Sequence, residues 1–362
     1  MTHSKYDKPR HPPAPRLRRA SRVGLGAVAR RAKAAASLPR CVAAAVIVAA
    51  SALVAATQAQ QAPAAPPPKL ALLPVQGNVH LLTGAGANVT VSVGRNGVVL
   101  VDTPPATLVP QALAEIRKLS DKPVRYIINT SVDPEHVGGN AAVVGASSAR
   151  AGAGAPFAFI GLDRPAIFAH EAVLNRLSNP GSGAPAVPAA GLPTTEYFQP
   201  SMDLFVNGEA VVLYHQPAAH TDGDSLVFFR RSDVISTGDV FTPGRYPAID
   251  LARGGSVTGL IAGLTSILQL AVPEAFESGG TQIVPGHGRI CEETDVAEFR
   301  DMVVIVRDRV RDLMGKGRSL EAIKMEKPSR DYDREYHASQ ADADRFVESI
   351  YRSLSAKPGG RS

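Results

Sequence analysis

The stretch Thr130-Ser131-Val132-Asp133-Pro134-Glu135-His136-Val137-Gly138-Gly139-Asn140 sets two acids and an imidazole in a loop that runs into paired glycines. Three more chemistry-bearing positions follow far along the chain. They are His220 in Ala219-His220-Thr221-Asp222-Gly223-Asp224, Asp239 in Thr237-Gly238-Asp239-Val240, and His287 in Pro285-Gly286-His287-Gly288. Each lies near the end of a short run of Val, Ile, Leu or Phe. Carboxylates and imidazoles are the donors that hold a divalent cation. A fold that uses them together must bring strand-end loops, separated by most of the chain, to one place.

The rest of the chain suits such a fold. Asn78–Leu82, Asn88–Val93 and Gly97–Asp102 read as successive strands, with turns at Gly84–Gly86 and Arg95–Gly97. Leu108–Leu119 has helical periodicity, and Val124–Asn129 reads as a buried strand entering the acidic loop. Val137–Val144 opens a helix, residues 145–155 read as a loose insertion, Phe157–Gly161 as a strand and Pro165–Leu177 as a helix. Asn179–Pro193, rich in Gly, Ala and Pro, is predicted to be a long loop. Asn207-Gly208 marks a hairpin between Asp203–Val206 and Glu209–His215. Strands at Ser225–Phe229, Val234–Ser236 and Gln282–Val284 and helices at Val257–Leu270 and Asp295–Met314 follow. The tail adds helical stretches at Leu320–Met325 and Ala341–Leu354. Pattern alone gives an α/β fold with mixed sheets.

In order and spacing these motifs resemble the metallo-β-lactamase-fold superfamily, from about Leu70 to Val310. That family's loop reads Thr-His-x-His-x-Asp-His-x-Gly-Gly-Asn; here Ser131 and Asp133 stand at the two leading His positions and Glu135 at the Asp position. The resemblance implies a four-layer αββα sandwich with a C-terminal helical extension. It implies a first metal position at Ser131, Asp133 and His220, a second at Glu135, His136 and His287, and Asp239 as the bridge between them. Ser131 is a poor zinc ligand, and Glu135 is one methylene longer than the family's Asp. The implied cofactor is Zn2+, as one or two ions. An oxygen-rich first position favours harder ions such as Mn2+ or Fe2+. Asp102 matches the family's structural Asp and is expected to orient the loop by hydrogen bonds rather than to bind metal. Asp133, Glu135 and Asp239, crowded together without metal, should raise at least one carboxyl pKa.

Charge locates the ends of the folded body. The 362-residue chain has a formal charge of +6, but residues 1–59 carry eleven Lys/Arg against one acid, which leaves −4 for the remainder. The basic excess is therefore an N-terminal feature and not a nucleic-acid face. Basic residues to Arg40, the 16-residue apolar run Cys41–Ala56 and the small-residue site Thr57-Gln58-Ala59 read as a signal peptide or N-terminal membrane anchor over 1–59. Residues 60–69 read as an Ala/Pro linker, 70–315 as the main domain and 316–362 as a helical extension packed on it. This points to an exported, periplasmic protein. Once a signal peptide is removed Cys291 is alone, so no intramolecular disulfide is expected.

The expected activity is metal-dependent hydrolysis of an ester, thioester, amide or lactam-type bond in a small-molecule substrate. Asp239 would orient the nucleophile, and His220 or Asp133 would accept a proton. The rival expectation is a non-catalytic exported protein that keeps the fold. His170 is expected to be a partly buried structural residue, and His80 and His215 packing or surface residues.

Overall fold

The computed structural model describes residues 69–151, 164–181, 186–274 and 279–356. The signal or anchor segment, nearly all of the linker and the strand predicted at Phe157–Gly161 lie outside them. Among the described residues, no helix is long and apolar enough to cross a membrane.

Two sheets carry the body. One runs in the order β1-β2-β3-β4-β5-β6-β7, from β1 (Ala71–Gln76), β2 (Val79–Thr83), β3 (Val89–Gly94) and β4 (Gly97–Val101) to β5 (Val124–Ile128), β6 (Ala166–His170) and β7 (Thr195–Tyr197). The other runs β12-β11-β10-β9-β8, from β8 (Ser201–Val206), β9 (Glu209–Gln216) and β10 (Asp224–Phe229) to β11 (Val234–Gly238) and β12 (Gln282–Pro285). Strands β1 to β4 and β8 to β11 meander antiparallel, whereas β4-β5-β6-β7 and β11-β12 pair in parallel.

Side-chain alternation produces the layers. On β4, Val99 and Val101 join Leu81, Val211, Leu213, Val227 and Phe229 in the core between the two sheets. Val98 and Leu100, pointing the other way, pack with α1 (Val109–Ile116) and α3 (Asn140–Ala151) through Leu113, Ile116, Val143 and Val144. The outer face of the second sheet sends Leu226, Ile235 and Ile283 against α5 (Val257–Leu270) and α6 (Glu293–Gly315). The order helix, sheet, sheet, helix is the αββα sandwich. The tail helices α7 (Leu320–Glu326) and α8 (Gln340–Ser355) join that last layer. Ile323, Phe346, Val347 and Ile350 share a core cluster with Phe299 and Val303 of α6.

Three local expectations change. Residues predicted as one helix from Pro165 divide into β6 and a shorter helix, α4 (Glu171–Ser178). Ala166-Ile167-Phe168-Ala169-His170 is a short apolar run whose period does not separate helix from strand, and parallel pairing between β5 and β7 decides for strand. The expected loose insertion from Gly145 is instead helical to Ala151. Strands β1 and β7 were not read from the sequence: β1 is an edge strand interrupted by Pro74, and β7 is an edge strand of only three residues.

Candidate metal centre

The six acids and imidazoles singled out in the sequence follow the carboxyl ends of β5, β9, β11 and β12, Glu135 and His136 in the one-turn helix α2 (Pro134–Val137) and the others on loops. Parallel pairing of β4 with β5 and of β11 with β12 aims their following loops to the same side. The loops are tied to one another through backbone. Asn88 N donates to Gly286 O (2.7 Å), Gly286 N donates to Gly238 O (2.8 Å), and Ser225 N donates to Thr130 O (2.9 Å). Gly286 has to be glycine for closeness, since a Cβ there would lie 2.6 Å from Asp239 Oδ1.

Two clusters result. Glu135, His136, Asp239 and His287 bring one donor atom each within 4.8 Å of one another, and so do Asp133, His220 and Asp239. Asp239 belongs to both, at the junction of the two positions.

Asp102 organises the acidic loop from beneath. It is a non-glycine residue with φ of 65°, in the left-handed region where Asp is among the better tolerated residues. Its Oδ1 accepts from Thr130 N (2.8 Å), and its Oδ2 accepts from Thr130 Oγ1 (2.6 Å) and faces His136 Nδ1 (2.7 Å). A carboxylate at Nδ1 places the proton there and turns Nε2 toward the cluster. Burial alone lowers the His136 pKa, but the charge of Asp102 and then Asp239 outweighs it and holds the imidazole well above its ordinary 6.5.

The second position fits a divalent ion. His136 is fully buried, yet its Nε2 has no hydrogen-bond partner, and neither has Asp239 Oδ1. His136 Nε2 does lie 3.3 Å from Asp239 Oδ2, but that approach is misaligned for a hydrogen bond and leaves an electrostatic contact only. His287 Nε2 stands 3.5 Å from Asp239 Oδ1 and 3.1 Å from Glu135 Oε1. Two buried unsatisfied donor atoms facing one cluster are costly unless something pairs with both. Two imidazoles and two carboxylates are an ordinary set for that purpose. The field that raises His136 also attracts a cation, which would take the proton's place on Nε2.

The first position does not fit. Ser131 Oγ donates to Asp133 Oδ2 (2.9 Å), and His220 Nε2 donates to the same oxygen (2.8 Å). The other oxygen, Oδ1, meets Arg253 Nη2 at 2.6 Å. Each side chain expected to ligate an ion is therefore already engaged. Burial lowers His220, but the hydrogen bond to Asp133 and the charge of Asp224 raise it to about 9. Burial likewise raises Asp133, but His220 and Arg253 hold it well below the usual carboxylate range.

The expected rise of a crowded carboxyl does not occur at Asp133 or Asp239. Burial pushes Asp239 up, but His136, His220 and His287 bring it to about 2, because imidazoles are interleaved with the acids. The raised carboxyl is Asp224, lifted by burial to about 7 while it accepts hydrogen bonds from Thr221 N and Thr221 Oγ1. His170 is buried; its ring stacks on His215 with centroids 3.5 Å apart, and its Nδ1 accepts from Ala172 N at 3.3 Å.

Arg253 went unrecognised in the sequence. Its only local signal is Asp250-Leu251-Ala252-Arg253-Gly254-Gly255, an Asp followed by paired glycines that marks a tight turn without naming its destination. With Arg253, His220 lines a cleft of about 920 Å³ walled by Tyr246, Tyr336, Phe346 and Arg352. The cleft reaches the first position through His220 and Arg253, and none of the four donors of the other cluster lines it.

The chain belongs to the metallo-β-lactamase superfamily, whose family model matches residues 82–287. It is 24% identical over 261 residues to a linear primary-alkylsulfatase from Pseudomonas sp. (strain ATCC 19151), a match covering 61% of this chain and 46% of that protein. The stereoselective inverting sec-alkylsulfatase Pisa1 from Pseudomonas sp. superposes with a TM-score of 0.58 at 18% identity, covering 78% of this chain and 50% of that one. The chain thus spans about half the length of the relatives it matches.

Proposed function

We propose that this protein is a hydrolase that works with one divalent ion, Zn2+ before Mn2+ or Fe2+, held by Glu135, His136, Asp239 and His287. The observation that carries this reading is the pair of buried, unpartnered atoms, His136 Nε2 and Asp239 Oδ1, on two residues of one four-donor cluster. An ion bound there would supply Lewis acidity, which lowers the pKa of a water and polarises the bond to be broken.

The chain's own residues supply the rest. Asp102 fixes the tautomer and direction of His136. Asp239, charged at neutral pH and shared by both clusters, would orient the attacking water by accepting a hydrogen bond from it. His220 holds a proton at neutral pH and shares it with Asp133, which keeps a positive group beside the substrate. That pair serves better as a fixed electrostatic partner than as a proton acceptor.

For the substrate, a sulfate ester is favoured over lactams, thioesters and amides. Two relatives named as alkylsulfatases support it, as do Arg253 and His220, two cationic side chains that line the cleft. The test measures zinc content and hydrolysis of dodecyl sulfate, with 4-nitrophenyl acetate as the carboxylic-ester control. Asp239→Ala and His287→Ala are expected to lose zinc and at least a hundredfold in rate. Equal rates in all three proteins, or wild-type protein that takes up no zinc, would leave the non-catalytic alternative standing. The basic and apolar N-terminal segment supports export, which cell fractionation of the full chain tests.

A further inference from the structure

Arg253 is placed with more care than a surface ion pair requires. It ends a short 3-10 turn, Leu251–Arg253, capped by Asp250. Asp250 accepts from Arg253 N (2.9 Å) through Oδ1 and from Arg253 Nε (2.6 Å) through Oδ2. The turn is locked onto the loop that carries His220. Asp250 N donates to His220 O (2.9 Å), and Asp222 N donates to Arg253 O (2.9 Å). Gly255 packs so closely beneath that a Cβ there would sit 2.1 Å from His220 O, so only glycine lets the two segments approach. The guanidinium then spans two acids, Asp250 through Nε and Asp133 through Nη2, and still lines the cleft.

We infer that Arg253 is the fixed cation of the first position: its guanidinium stands where the superfamily would hold a first metal ion, and it binds the anionic oxygens of the substrate. The inference rests on the hydrolase reading and deepens it by assigning the group that receives the substrate's charge. Three observations converge on it. The ligand set of that position is reduced to a hydroxyl, an acid and an imidazole. The acid is already bonded on both oxygens, to Arg253 on one and to His220 and Ser131 on the other. The cation is anchored by its own carboxylate, Asp250, and by a glycine-dependent backbone clamp.

A guanidinium differs from a metal ion in ways that set its role. It is always charged and presents five donors in a planar fork that matches an oxyanion. It cannot coordinate a water and make it nucleophilic. The two positions would therefore divide the work: Glu135, His136, Asp239 and His287 would hold the ion that activates water, and Arg253 would hold the anionic group under attack.

The experiment titrates zinc chloride into chelator-stripped full-length protein by calorimetry, and then sodium sulfate into the zinc-loaded protein. Wild type, Arg253→Met and Arg253→Lys are compared. Wild type is expected to take up one equivalent of zinc and to bind sulfate. Arg253→Met should keep one equivalent of zinc and bind sulfate roughly ten- to hundredfold more weakly, the loss of a charge-assisted contact. Arg253→Lys should recover part of that affinity, and it carries the comparison should the Met variant melt early. Two equivalents of zinc in wild type, no sulfate binding by wild type, or unchanged sulfate affinity in both variants overturns the role given to Arg253 and leaves the hydrolase reading intact. No zinc at all in wild type overturns the hydrolase reading, and this inference with it.

Discussion

Replacing Asp102 with Asn separates the support of the site from its ligands. Asn is nearly isosteric and tolerates the left-handed φ of 65° found there, so the backbone has little reason to move. Its Oδ1 can still accept from Thr130 N. The amide nitrogen, however, replaces the oxygen that faces both Thr130 Oγ1 at 2.6 Å and His136 Nδ1 at 2.7 Å. Two donors would then meet at His136, and the imidazole escapes by giving up its Nδ1 proton and keeping the one on Nε2, the atom that must be free to ligate beside Asp239. Loss of a carboxylate partner to a ligating His typically costs about 10- to 100-fold in metal affinity. That is about 1.4–2.7 kcal/mol. Calorimetric titration of zinc into wild type and Asp102→Asn, with a urea melt of each metal-free protein, reads the affinity and the fold separately. A zinc affinity within twofold of wild type in a variant that melts normally would refute the argument that Asp102 sets the tautomer of His136.

Other outcomes follow from the same geometry. In chelator-treated protein, stability is expected to fall as pH rises from 7 to 9.5. His220 is raised to about 9, so its contribution is complete below its unfolded value of 6.5 and is lost as pH climbs through the folded value; His136, also raised, acts in the same direction. The loss is on the order of 2–3 kcal/mol by linkage. Asp224, raised to about 7, is half titrated at pH 7 and adds a smaller loss in the same direction as it finishes titrating. Urea melts at both pH values check this, and Asp133→Asn should flatten the slope. Phe346→Ala, in the tail helix α8, should cost about 3–5 kcal/mol, because the ring is buried in the core shared with α6 and stacks on Tyr246 with centroids 4.7 Å apart. A loss of less than about 1 kcal/mol in unfolding free energy from urea melts (about a quarter of that cost) would mean the tail is an appendage and not part of the core.

Much of the scaffold could be read along the chain because its signals are local. Asn207-Gly208 marks the β8-β9 hairpin through the left-handed φ of 54° and 85° that those residues accept. Alternation of Val and Leu on β4 assigns its two faces to different cores. The helix from Glu293 was legible from its period and is entered through a capping box between Glu292 and Asp295. Where local signals conflict, sheet neighbours decide, as at Ala166–His170.

The donor set itself was written in the sequence: which acids and imidazoles the chain carries, in what order, and that Ser131 and Asp133 stand where a metal site would want imidazole. Donor chemistry is a property of the side chain, so it survives without coordinates. What occupies Asp133 was decided only in three dimensions. Arg253 lies 120 positions later, and nothing in its immediate sequence names its partner. Ion pairs depend on distance through space, and here that distance is set by a turn packed on glycine against the His220 loop. The same reasoning separates the two metal positions: similar residues lie in both, but only the tertiary structure leaves His136 Nε2 and Asp239 Oδ1 buried and unpaired while bonding both oxygens of Asp133.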